Sequence, residues 1–144
     1  MSEKLNLNKI KSIAFIAHDN KKYELLEWVK MNLEKIENIK IYATNTTGNL
    51  IKSETDLDVI CLKSGLLGGD QQIASKIIDG EIGLLMFFWD PLKSVPHDCD
   101  VKSLMRIATH YNVPIAYNRT TADFIISSPL FKELTSENLC NLLQ

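Results

Sequence analysis

Four short polar clusters in this chain carry side chains suited to holding a small anion and moving a proton. The first is His18 and Asp19, with Lys22 one helical turn further on, and the second is Thr44, Thr46, Thr47 and Gly48. The third is Ser64, Gly65, Gly68, Gly69 and Asp70, and the fourth is Asp90, His97, Asp98 and Asp100. Hydroxyls and a glycine at a helix start, with a lysine in reach, are what a phosphate group requires. Backbone N–H groups and the helix dipole supply partial positive charge, hydroxyls donate, and the ammonium adds a full charge. Singly, Thr46 or Thr47 is an ordinary helix cap and Lys22 a solvated charge. Taken together they favour phosphate. No Walker sequence and no G-x-G-x-x-G is present, so neither an NTPase loop nor a dinucleotide fingerprint is supported.

The carboxylates and histidines narrow the chemistry. Asp70 follows two glycines at an expected helix N-terminus, where an aspartate caps well, yet the glycines also let the backbone approach a ligand. Asp98 and Asp100 share that ambiguity. His18 and His97 both follow a strand and each stands beside an aspartate, whereas His110 sits near the end of a helix, where a histidine is favourable. Adjacent His-Asp pairs do not converge on one metal, and no H-x-x-H or H-E-x-x-H occurs. Ser64 lacks a G-x-S-x-G setting, and Cys99 has no evident partner. Metal dependence is disfavoured, and what remains is proton transfer on a phosphorylated small molecule.

The elements that must position these clusters alternate between two periodicities. Residues 12–17 form a short apolar run, as in a strand buried on both faces, and Leu25, Leu26, Val29, Leu33 and Ile36 follow at helical spacing. Strands are expected at 39–43, 59–62, 82–88 and 113–117, and helices at 46–51 and about 70–78. A loop bounded by Pro91 and Pro96 leads into a helix opening at Asp98 or Asp100, with Val101, Leu104, Met105 and Ala108 on one face. A last helix begins near Thr120, and residues 131–144 read as a tail. This pattern predicts an α/β fold: a single three-layer α/β/α domain over 1–144 with a five-stranded parallel sheet, of flavodoxin-like or Rossmann-like type. Ligands bind such sheets at the carboxyl ends of the strands, near a topological switch point. All four clusters fall at that edge.

Composition excludes several classes. Of 144 residues, 45% are apolar and 24% charged, the balance of an ordinary globular protein. The net charge is −2, the pI is near 5.9, and only Arg106 and Arg119 are arginines, so no nucleic-acid or anionic-membrane footprint is written here. Cys61, Cys99 and Cys140 are odd in number and scattered, without C-x-x-C, and Cys61 reads as a small core residue. The polar start predicts no signal peptide and the longest apolar run is too short for a span, so a cytoplasmic protein is expected.

The residues also carry a family resemblance. Over residues 13–131 the chain resembles methylglyoxal synthase. The matching stretches are Ala17-His18-Asp19 with Lys22, the run from Tyr42 to Ile51, and the run from Ser64 to Gln72. They continue with Phe87 to Leu92, Val95 to Val101, and Ala122 to Pro129. The resemblance implies conversion of dihydroxyacetone phosphate to methylglyoxal and inorganic phosphate without a cofactor. It implies Asp70 as general base, His97 as the group polarising the enediolate oxygens, and Asp100 assisting. It further implies that His18, Lys22, Thr44, Thr46, Thr47, Ser64 and Gly65 hold the phosphate, that Asp19 and Asp90 support the site, and that the protein is a homohexamer. The chemistry agrees: a carbon acid beside a ketone is weak, so a carboxylate base needs preorganised donors for the enediolate. A carboxylate working with a neutral histidine is the pairing used by triosephosphate isomerase.

Two departures from the family pattern stand out. Cys99 lies between Asp98 and Asp100 where relatives carry proline, and the tail from Thr135 to Gln144 contains no arginine, which bears on regulation by phosphate. The alternative reading is a non-catalytic regulatory module of the same fold, such as the one in carbamoyl-phosphate synthetase, which would need the phosphate cradle but not the base. A phosphate-accepting receiver domain would need an acidic pair after the first strand and a lysine after the fifth. The chain offers His18-Asp19 and Asn118-Arg119 there instead.

Overall fold

Strand β1 (Ser12–Ala17) is buried at all six positions, which requires cover on both of its faces. In the computed structural model, which describes residues 8–93 and 98–136, β1 is the middle strand of a five-stranded sheet. The others are β2 (Lys40–Ala43), β3 (Val59–Cys61), β4 (Leu84–Phe88) and β5 (Ile115–Ala116), in the order β3-β2-β1-β4-β5. Every pairing is parallel, with Phe15 opposite Ala43 on one side and Ala17 opposite Phe88 on the other. The chain therefore leaves β1 in one direction for β2 and β3, then returns across it to β4. The switch point lies between β1 and β4.

Alternation along the strands sends successive side chains to opposite layers. Ile13, Phe15 and Ala17 with Leu84, Met86 and Phe88 face one core. It is covered by α1 (Lys22–Met31), α3 (Asn45–Glu54), α6 (Arg119–Ser127) and α7 (Pro129–Thr135). Ala14, Ile16, Leu85 and Phe87 face the other, covered by α4 (Gly69–Ile78) and α5 (Asp98–His110). A one-turn helix, α2 (Leu33–Ile36), follows α1 after a break at Asn32 and buries Ile36. The three-layer arrangement is the one the alternating pattern implies. No described helix is long and apolar enough to cross a membrane.

Several boundaries differ from the sequence expectation. The fourth strand starts at Leu84 rather than 82, because Gly83 turns against the segment before β1: a Cβ there would lie 2.7 Å from the Lys9 carbonyl oxygen. The fifth pairs at only two residues, since it is an edge strand bonded to β4 alone. The helix after β2 runs ten residues, not six. Cys61 is partly buried at the rim of its core.

The expected tail at 131 is also wrong in its start. Pro129 sits in the first turn of α7, Ser128 caps it by accepting from the Leu130 N–H, and Phe131 is 6% exposed within the core. Phe131→Ala should therefore destabilise the protein by about 3 kcal/mol in urea unfolding, the cost of a large core cavity, whereas a true tail residue would cost nothing.

Candidate active site

The first residue after four of the strands is itself bonded into the sheet edge. His18 N–H donates to Phe88 O (3.1 Å), Thr44 to Phe15 O (3.3 Å), Leu62 to Ala43 O (2.7 Å) and Trp89 to Tyr117 O (3.3 Å). These bonds carry the four polar clusters to one edge of the sheet.

At the end of β1, His18 is buried, with its ring edge-on to Phe87 at 5.4 Å. Its Nδ1 accepts the Asp90 backbone N–H at 3.0 Å. Lys22 opens α1 after a short 3-10 turn, Asp19–Lys21, and its Nζ donates to Ala17 O (2.7 Å) and to Asp19 Oδ1 (3.0 Å). That ammonium is mostly buried, so its position is set by the strand end. The hydrogen bond and charge of Lys22 hold the Asp19 carboxyl below its usual value of 3.8. Asp19 in turn offsets part of the positive charge at this corner. Among the described residues, two of the three ammonium N–H groups are engaged.

After β2, Thr44 takes the extended conformation that precedes a helix, and α3 begins at Asn45. Thr44 and Thr47 are buried and Thr46 is exposed. The Thr47 hydroxyl is buried without a hydrogen-bond partner among the described residues. An unsatisfied buried hydroxyl costs roughly 1–3 kcal/mol, which an anion at this helix start would recover. Gly48 serves packing: a Cβ there would lie 2.6 Å from the Cys61 sulfur, so its smallness seats α3 against β3.

After β3, Ser64 leads into a 3-10 turn, Gly65–Leu67, and Gly68 takes a left-handed φ of 103° before α4. The glycine pair was expected to open room for a ligand. Gly69 instead lies against the chain's own backbone: a Cβ there would overlap the Lys63 carbonyl oxygen, and Gly69 N–H donates to Ser64 O at 2.8 Å. Asp70 is not the cap either. Gly68 holds that position, and Asp70 is the second residue of α4, 1% exposed, in the turn whose free N–H groups favour a carboxylate.

After β4, the Asp90 carboxylate accepts from Asn20 Nδ2 (2.9 Å) and from the Leu92 N–H (3.1 Å), which together hold it below 3.8. Asp100, in the first turn of α5, accepts from Gln71 Nε2 at 2.9 Å. Gln71 is the neighbour of Asp70, so this bond ties the starts of α4 and α5 together. His97 lies outside the described residues, as does the tail from 137.

A family model described as "MGS-like domain" matches residues 24–117. Methylglyoxal synthase of Proteus mirabilis is 55% identical over 123 residues, 85% of this chain and 81% of its own. This chain belongs to the methylglyoxal synthase family. Methylglyoxal synthase of Leptospira interrogans is 53% identical over 129 residues, covering 90% of this chain and 87% of its own. The crystal structure of methylglyoxal synthase from Elizabethkingia anophelis superposes with a TM-score of 0.81 at 44% identity, covering 87% of this chain and 82% of that one. The family model begins after His18, Asp19 and Lys22 and takes in the clusters after β2, β3 and β4.

Three polar residues that reading the sequence of this methylglyoxal synthase family member left without a role are Asn20, Gln71 and Gln72. Asn20 and Gln71 bond site carboxylates, and Gln72 Oε1 accepts the Lys63 N–H at 2.8 Å, pinning the loop before α4. An apolar cleft of about 430 Å³, lined in part by Ile10, Gly83, Pro114 and Phe131, lies at the opposite edge of the sheet. It has no titratable lining group among the described residues, which does not suit proton transfer.

Proposed function

We propose that this chain is a methylglyoxal synthase, a carbon–oxygen lyase that converts dihydroxyacetone phosphate to methylglyoxal and inorganic phosphate without a metal or organic cofactor. The observation that carries the reading is a carboxylate, Asp70, buried in the first turn of α4 at the sheet edge that gathers the phosphate-binding groups. A module that only bound a ligand would have no use for a buried base there.

In this reading Asp70 removes a proton from the carbon bearing the substrate hydroxyl. His97 polarises the oxygens of the resulting enediolate, with Asp100 assisting at the same site. Its electron pair then expels phosphate from the adjacent carbon, giving an enol that takes up a proton there and becomes methylglyoxal. Expulsion requires the C–O bond to phosphate to stand out of the enediolate plane. His18, Lys22, Thr44, Thr46, Thr47, Ser64 and Gly65 would hold the phosphate in that orientation, with Asp19 and Asp90 supporting His18 and Lys22.

The proposal includes one domain over 1–144 and a homohexamer, which the exposed apolar side chains Tyr23 (75%) and Phe124 (74%) support as subunit-contact surface. Scattered cysteines fit a cytoplasmic, reducing setting. The acidic net charge argues against nucleic-acid and anionic-membrane partners.

The test is an assay of chelator-treated protein with dihydroxyacetone phosphate, following methylglyoxal and phosphate together. Both products should appear in equal amounts. Saturable phosphate binding with no methylglyoxal would replace this reading with the regulatory-module one, and loss of activity to the chelator would refute metal independence.

A further inference from the structure

We propose that Asn20 is a positioning residue that, through Asp90, holds the His18 imidazole in its Nε2–H form. The inference rests on the reading of this edge as a methylglyoxal synthase site, and it names a residue whose role that reading leaves open.

A ring nitrogen that accepts a hydrogen bond carries no proton. His18 Nδ1 accepts the Asp90 peptide N–H at 3.0 Å in a buried setting, so the neutral ring bears its proton on Nε2. The ring is therefore a directional donor through Nε2, suited to a phosphate or carbonyl oxygen, and not a cation.

That arrangement is only as firm as Asp90. One carboxylate oxygen accepts the Leu92 N–H, a bond local to the same loop, and Leu92 and Lys93 beyond it are exposed. The other accepts from Asn20, which belongs to the β1 side of the switch point. Asn20 is exposed and its turn is closed by a backbone bond, Lys21 N–H to His18 O at 2.8 Å. Its amide is thus not needed for local structure; the contact it makes is the cross-tie to Asp90. The chain of bonds runs from Asn20 to the Asp90 carboxylate, through the Asp90 peptide, and back to His18, two residues from where it began. Asp19, Lys21, Lys22 and Lys93 are the other charged groups the described residues place around it.

The experiment uses the full chain with ¹⁵N-labelled histidine, the His18 signals being assigned with a His18→Gln variant. The wild type should show a protonated Nε2 and an unprotonated Nδ1 at neutral pH. Asn20→Ala should move both nitrogens toward exchange-averaged positions, and should raise KM for dihydroxyacetone phosphate about tenfold while kcat changes less than about twofold. The double variant Asn20→Asp/Asp90→Asn exchanges donor and acceptor but keeps both hydrogen bonds, so it should return the wild-type nitrogen signals. Unchanged His18 signals in Asn20→Ala, or an averaged ring in the double variant, would overturn the proposal. The nitrogen signals do not depend on turnover, so a wild type that makes no methylglyoxal would remove the functional reading while this role is still measured.

Discussion

Asp70→Asn is expected to lower methylglyoxal formation by about 10⁴-fold, to the background of the assay, while phosphate still binds within a few-fold of the wild type. Asparagine matches aspartate in shape, so the buried first turn of α4 has no cavity to fill and no larger group to admit. What it lacks is a basic oxygen. Removing a proton from carbon beside a ketone depends on that base, because no water at neutral pH replaces it at a comparable rate. The groups proposed to hold phosphate belong to other elements, the ends of β1 and β2 and the turn after β3, and do not need the charge of Asp70. Turnover would be followed as product formation, and phosphate affinity by calorimetry. Turnover within tenfold of the wild type would remove Asp70 from the role of base.

Gly69→Ala should be nearly as damaging, for a different reason. A Cβ at this position would overlap the Lys63 carbonyl oxygen and come within 2.9 Å of the Ser64 carbonyl oxygen. Both are backbone atoms, with no flexible side chain to swing aside. Either the segment from Lys63 to Gly68 moves or the first turn of α4 opens, and each displaces Asp70. We expect a loss of more than about 3 kcal/mol of stability, with activity falling alongside. Gly80→Ala is the matched comparison. Its φ of 77° strains an alanine, but nothing lies within 4 Å of the added carbon, so the cost should stay at about 1–2 kcal/mol. Urea unfolding of the two variants decides the matter, and equal midpoints would contradict the close-contact account.

The frame of the molecule was legible because burial writes itself into strands. Residues 12–17 matched β1 at both ends, since a strand covered on two faces has almost no room for polar residues. The site was legible at the level of clusters, because each follows a strand and parallel strands end at one edge. Its wiring was not. Asn20 bonds a residue 70 positions away and Gln71 one 29 away, and local spacing holds no trace of either partner. Of the glycines at 68 and 69, only Gly69 makes a close approach, and to the chain's own Lys63 carbonyl, while Gly68 answers to its left-handed φ of 103°; residue type reports that a glycine is needed, not why. Lys22 with Asp19 is the opposite case: their three-residue spacing already allowed the observed ion pair.

The position of β1 has a consequence for how the chain assembles. Strands β1, β2 and β3 pair with near neighbours in sequence, whereas β4 must come back over the intervening chain, and the bond from Asp90 to His18 joins residues 72 positions apart. Closing so long a loop is the entropically expensive event that slows folding. The seam between β1 and β4, where His18 meets Asp90, therefore exists only once that event is complete. A ligand held across it binds the native sheet and not a half-assembled one, so it stabilises the native state by mass action. Ligand occupancy and native-state stability are in this way coupled through a single seam of the sheet.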